Sequence, residues 1–138
     1  MSFTNLIENT VLDSLLGDSA TLLPNPVYIG LSTTTINDDG SGITEPTGGS
    51  YAKVSKANSN VNFPGASAGV KKNATPIEFP TATGDWGTIT DWFISDSGGT
   101  TIYVYGKLDD GAGTPQPRTV LNGDEFKILA NQLRIELD

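Results

Sequence analysis

The sequence has 138 residues, including 16 Gly and 8 Pro but no His and no Cys, and its 16 acidic and 8 basic side chains give a formal net charge of -8. Such a length suits one domain around one core, and the Gly and Pro content interrupts the chain too often for long helices to dominate. Without His or Cys there is no Ser-His-Asp or Cys-His nucleophile, no disulfide and no ordinary zinc site, and the negative charge repels a nucleic-acid backbone.

Taken in order, Ser2 to Leu16 predicts an amphipathic helix. Phe3, Leu6, Ile7, Val11, Leu12, Leu15 and Leu16 recur in steps of three and four, which places them along one stripe. Ser2 or Thr4 serves as its N-cap and Gly17 as its left-handed end. The helix is not a signal peptide, since no basic segment precedes it, and no run reaches the roughly 20 apolar residues of a membrane span, so neither a membrane nor a nucleic acid is expected as a partner. Beyond Pro24 and Pro26 the period changes to two: Val27, Ile29 and Leu31 alternate with Tyr28, Gly30 and Ser32, as a half-buried strand requires.

Residues Thr33 to Ser50 are rich in Gly, Thr and acids, with Ile36 and Ile43 almost the only apolar positions, and they predict a long surface loop of the kind that often carries function. Short strands follow at Tyr51 to Ala57 and Pro76 to Phe79, separated by a polar stretch from Asn58 to Asn73. A hairpin is expected from Thr88 to Ile94, through a Ser95 to Gly99 turn, to Thr100 to Gly106. After an Asp109 to Pro117 loop, strands at Arg118 to Leu121, Glu125 to Leu129 and Leu133 to Leu137 complete the pattern. Roughly eight short strands with turn residues between them predict a mainly β fold, a single-domain β-sandwich or jelly roll over residues 22–138 with the helix of residues 1–17 beside it.

Paired carboxylates support glycoside hydrolysis without histidine, and the pairs present are Asp38-Asp39, Asp109-Asp110 and Asp124-Glu125. Each lies beside glycine, where Asp accepts hydrogen bonds from turn amides and needs no catalytic role. The Asp38-Asp39-Gly40-Ser41-Gly42 stretch lacks the regular carboxylate spacing and distal Glu of a calcium loop, and the glycines are followed by no Lys-Ser or Lys-Thr for a phosphate cradle. No catalytic residue, cofactor or metal is therefore expected. Trp86, Trp92, Tyr103 and Tyr105 are the candidates for a sugar platform, although in so small a domain aromatic residues belong more often to the core. Lys71-Lys72 reads as a solvated step.

The order of segments resembles a family of small tailed-bacteriophage virion proteins often labelled tail-fibre proteins. The resemblance runs through Leu6-Ile7-Glu8-Asn9, Val27-Tyr28-Ile29-Gly30-Leu31-Ser32-Thr33-Thr34, Glu45-Pro46 and Gly48-Gly49-Ser50-Tyr51-Ala52-Lys53-Val54. Its most recognisable part is Ile77-Glu78-Phe79-Pro80-Thr81-Ala82-Thr83-Gly84-Asp85-Trp86-Gly87-Thr88-Ile89-Thr90. The resemblance implies a structural protein without enzymatic residues. A fibre shaft needs heptads or an elongated repeat, and neither is present. The expectation is thus a capsid decoration or cement protein on the outer shell, with the major capsid protein and copies of itself, as a homotrimer, for partners. The alternative is a tail-fibre or tail-tip adhesin or adaptor that binds a host surface glycan. Under either reading the contact residues are expected in the two long loops and next to them: Ile36, Asp38, Asp39, Ile43, Glu45, Asp109, Asp110 and Arg118.

Overall fold

The computed structural model of the protein describes residues 2–7, 11 and 23–136. Eleven short strands lie among them: β1 (Ser2–Phe3), β2 (Val27–Ser32), β3 (Val54–Lys56), β4 (Val70–Lys72), β5 (Ile77–Glu78), β6 (Gly87–Ile89), β7 (Asp91–Ser95), β8 (Ile102–Lys107), β9 (Arg118–Val120), β10 (Lys127–Ile128) and β11 (Arg134–Glu136). Five of them make an antiparallel sheet in the order β1-β8-β7-β2-β3. The other six form three separate antiparallel ribbons, β10 with β5, β11 with β4, and β6 with β9.

The register explains where the core sits. Ile29 pairs with Ile94, Leu31 with Trp92, and Ile94 in turn with Val104, so these side chains share one face of the central sheet. They join Ile77, Ile89, Val120 and Ile128 from the ribbons, and Phe63, Phe126 and Leu133 from the connections, in the main hydrophobic cluster. The fold is mainly β as expected, but the layer opposite the sheet is a mosaic of ribbons instead of a second continuous sheet. The reason is local: strands of two or three residues separated by Gly, Pro and Asp are too short to extend pairing sideways.

Three sequence expectations are corrected. The helix expected to begin at Ser2 does not: Ser2 and Phe3 pair with Tyr105 and Val104 as β1, Phe3 packs against the core cluster, and the Thr4 hydroxyl donates to the Ile102 carbonyl at 2.9 Å. Pairing and burial over-ride the helical period there. Among the described residues 5–7 and 11 are helical, Leu6 is exposed while Ile7 is buried, and Leu12, Leu15, Leu16 and Gly17 lie outside the described residues. The strand expected from Thr88 to Ile94 is broken at Thr90, which donates from its amide to Ser32 at 3.0 Å and accepts from the Leu108 amide at 2.8 Å. Finally, β4 lies inside the stretch read as polar loop, just after Ala68 and Gly69, whose φ values of 51° and 75° form a tight reversal.

On each face of the sheet an aromatic ring covers a glycine of the adjacent strand. Phe93 lies across from Gly30 and Trp92 across from Gly106. A Cβ on Gly30 would come within 2.2 Å of the Phe93 ring, and one on Gly106 within 2.8 Å of the Trp92 ring. No side chain larger than hydrogen fits beneath either ring as it stands.

Candidate interaction surface

Ser32, Asp91 and Lys107 form one row across the end of the sheet, where β2 ends, β7 begins and β8 ends. Both long loops leave the sheet at this end, one after Ser32 and the other just beyond Lys107. Asp91 is buried, and its carboxylate accepts from the Ile36 amide at 3.3 Å and from Lys107 Nζ at 3.2 Å. Lys107 Nζ also donates to Thr35 Oγ1 at 2.9 Å. Ser32 Oγ donates to the Thr34 carbonyl at 2.7 Å and accepts from the amides of Thr34 at 3.2 Å and Thr44 at 3.1 Å. The base of the first loop is thereby tied by directional bonds, because a buried amide or carboxylate without a partner is costly.

The first loop then runs back along the second face of the sheet. Asp38 Oδ1 accepts from the hydroxyl of Tyr105 at 3.2 Å and of Ser2 at 3.4 Å, and Gly40 sits against Ile102 and Thr4. Ile36 and Phe93 are buried outside the main cluster. Asp39 Oδ1 accepts from the Ser41 amide at 2.9 Å, and its bonds to the Ser41 side chain and backbone hold its carboxyl below the usual range. Ile43 is half-buried. Glu45 Oε1 accepts from the Tyr51 hydroxyl at 2.7 Å, and its Oε2 pairs with Lys53 at 3.2 Å. The Tyr51 oxygen in turn accepts from the Leu31 amide at 2.9 Å. Burial raises the Tyr51 pKa far above that of a free phenol.

The second loop is closed on itself. Asp109 accepts from the Gly111 amide at 2.8 Å, and Asp110 from the amides of Ala112 at 2.8 Å and Thr114 at 3.2 Å. Those two amide bonds lower the Asp110 pKa. In the third acidic pair, Asp124 accepts from the Leu121 amide at 2.9 Å. Turn chemistry thus occupies a carboxylate in each pair. Arg118 opens β9 directly after the second loop, with its guanidinium over the Phe126 ring at 4.2 Å and a hydrogen bond to the Lys127 carbonyl at 3.0 Å. Desolvation lowers its pKa.

Of the aromatic candidates, Trp86 and Trp92 are buried in the core, whereas Tyr103 and Tyr105 are half-buried. The indole N–H of Trp86 is spent on the Gly49 carbonyl at 2.8 Å. Sequence reasoning missed Asp91, Lys107 and Tyr51 as the residues that hold the first loop. An acid immediately before the apolar run Trp92-Phe93-Ile94 was the available sign for Asp91, since such a residue needs a donor if it is buried. Among the described residues no three acidic side chains converge as a metal site would require, and no helix is long and apolar enough to cross a membrane.

Among curated proteins no relative matches the chain. Over residues 2–136 it matches the family described as Podophage GP4 fiber I protein gp80, and it therefore belongs to that family of phage virion structural proteins.

Proposed function

We propose that the protein is a non-enzymatic component of a phage fibre, a compact module at a tip or joint of the fibre that assembles with further copies of itself and contacts a host surface glycan. The observation that carries this reading is the match to a phage fibre family over residues 2–136. Short strands that pair into one five-stranded sheet and three ribbons support a tip or joint over a shaft. The non-enzymatic part rests on the absence of His and Cys and on Asp39, Asp109, Asp110 and Asp124 being occupied by their own turn amides.

The competing placement is decoration of the outer capsid shell, bound to the major capsid protein as a homotrimer. Immunogold labelling of intact particles separates the two. Label confined to the tail supports the fibre reading, and label spread over the head overturns it in favour of decoration. Incubation of the purified protein with surface polysaccharides tests the rest: cleavage that disappears in Asp109→Asn or Asp110→Asn would overturn the non-enzymatic assignment.

A further inference from the structure

The ribbon formed by β4 and β11 carries a charge arrangement that its own stability does not call for. Lys72 and Arg134 stand directly opposite each other in the antiparallel register, and like charges so placed destabilise a strand pair. The protein has twice as many acidic as basic side chains, 16 against 8, yet the Lys72 side chain makes no hydrogen bond or ion pair among the described residues. Arg134 is only partly neutralised: one Nη donates to Glu136 Oε1 at 2.8 Å. Its Nε is buried and is the one such side-chain nitrogen or oxygen among the described residues with no hydrogen-bond partner. Buried N–H groups are nearly always paired, so this one calls for an acceptor that the described residues do not supply.

Both cations line a cleft of about 510 Å³ whose other walls are Pro64, Gly65, Ser67, Val70 and Asn131. Gly65, Ser67 and Asn131 are small or polar and leave room for a compact charged group. A guanidinium offers a planar fork matched to two oxygens of a carboxylate or phosphate, and an ammonium adds a point charge that suits either.

We propose that this cleft binds an anionic group, a carboxylate or phosphate borne by a bacterial surface glycan, with Arg134 and Lys72 as its ligands. The acidic loops of a second copy are poorer occupants, because Asp39, Asp109, Asp110 and Asp124 already accept from their own turn amides. The fibre reading contributes only the source of the anion. Binding itself is measured on the isolated protein, so it stands or fails wherever on the particle the protein sits.

The test is an NMR titration of the full chain with inorganic phosphate, with glucuronate and with glucose, following the Arg134 Nε–H resonance. A saturable shift with phosphate or glucuronate and none with glucose is expected, and the tighter of the two anions tells a phosphorylated glycan from an acidic sugar. Lys72→Gln, an exposed substitution, and Arg134→Lys, which keeps the charge but loses the fork, should each weaken binding by about 10-fold, with melting curves confirming that both fold. Absence of a saturable shift with either anion, an equal response to glucose, or unchanged binding in Lys72→Gln would overturn the proposal. So would sedimentation showing that Lys72→Gln separates associated copies while the anion response persists, since the cleft would then be a contact between copies.

Discussion

On one face of the central sheet Trp92 covers Gly106, and apolar side chains from three ribbons close over Ile29, Leu31, Ile94 and Val104. On the other, Phe93 covers Gly30, and a polar loop closes over it, held by the Asp91 carboxylate, the Ser32 hydroxyl and the Asp38 carboxylate. The first closure is non-directional, and its strength follows the apolar area removed from water. The second depends on a few bonds of fixed geometry, each costly to lose because its partners are buried. A core of this size can therefore have one side that tolerates volume-conserving change and another that tolerates almost none.

The most damaging single change expected is Gly30→Ala. Its Cβ would meet the Phe93 ring at 2.2 Å, and Phe93 is only 1% exposed, so the ring has nowhere to move. Overpacking usually costs about 1 to 3 kcal/mol, and this clash belongs at or above the top of that range. Gly106→Ala, against Trp92 at 2.8 Å, should cost clearly less. Urea denaturation of the two variants ranks the faces directly, and equal midpoints would erase the contrast drawn here.

Next is Asp91→Ala, which removes the acceptor of the Ile36 amide and the partner of Lys107. A loss of about 2 to 3 kcal/mol follows from the stranded amide, while Lys107 is exposed enough to find water. Hydrogen exchange should accelerate at Ile36 and across residues 33–44, with Ile29 and Ile94 changing only through the global loss of stability. Tyr51→Phe should cost about 1 to 2 kcal/mol, because the Leu31 amide loses its acceptor while Glu45 keeps Lys53. This tyrosine also sets an alkaline limit. Its pKa is raised by burial above the ordinary 10.0, so its contribution is intact below that pH and is lost as the unfolded phenol ionises above it. Wild type should consequently lose stability more steeply above pH 10.0 than Tyr51→Phe does.

The smallest effect belongs to the loop carboxylates. Asp39 and Asp110 have pKa values below the ordinary 3.8 because their charged forms accept turn hydrogen bonds. They favour the fold above that pH, and the advantage disappears as pH falls through the lowered values. Asp110→Asn should lower the neutral-pH melting temperature only slightly, and its gap from wild type should close in acid.

The sequence revealed elements whose patterns are local. Val27, Ile29 and Leu31 alternate, and β2 runs from Val27 to Ser32 as that alternation predicts. The Ser95 to Gly99 turn predicts the β7–β8 hairpin, and the Gly-flanked acids predict their turn bonds. Patterns that depend on distant partners were hidden. Ser2-Phe3 carries no strand period in two residues and is fixed only by Val104 and Tyr105. Val70-Lys71-Lys72 shows one apolar residue in three, and its pairing with Arg134 to Glu136 cannot be inferred from composition. Seven of the expected contact residues lie in the two loops and Arg118 opens β9, but the bonds that fold the first loop back over Phe93 come from strand residues at Asp91 and Tyr105.

The bond from the Thr4 hydroxyl to the Ile102 carbonyl joins residues 98 positions apart, and β1 finds its neighbour, β8, across a slightly longer stretch of chain. During synthesis at roughly 5 to 20 residues per second, that partner leaves the ribosome on the order of 5 to 20 s after Thr4 does. Until then neither the outer edge of the sheet nor the anchor of the back-folded loop exists. The central sheet is therefore completed only once β8 has emerged, so the rate at which β8 docks sets how long the unpaired edge of β7 is open to neighbouring nascent chains.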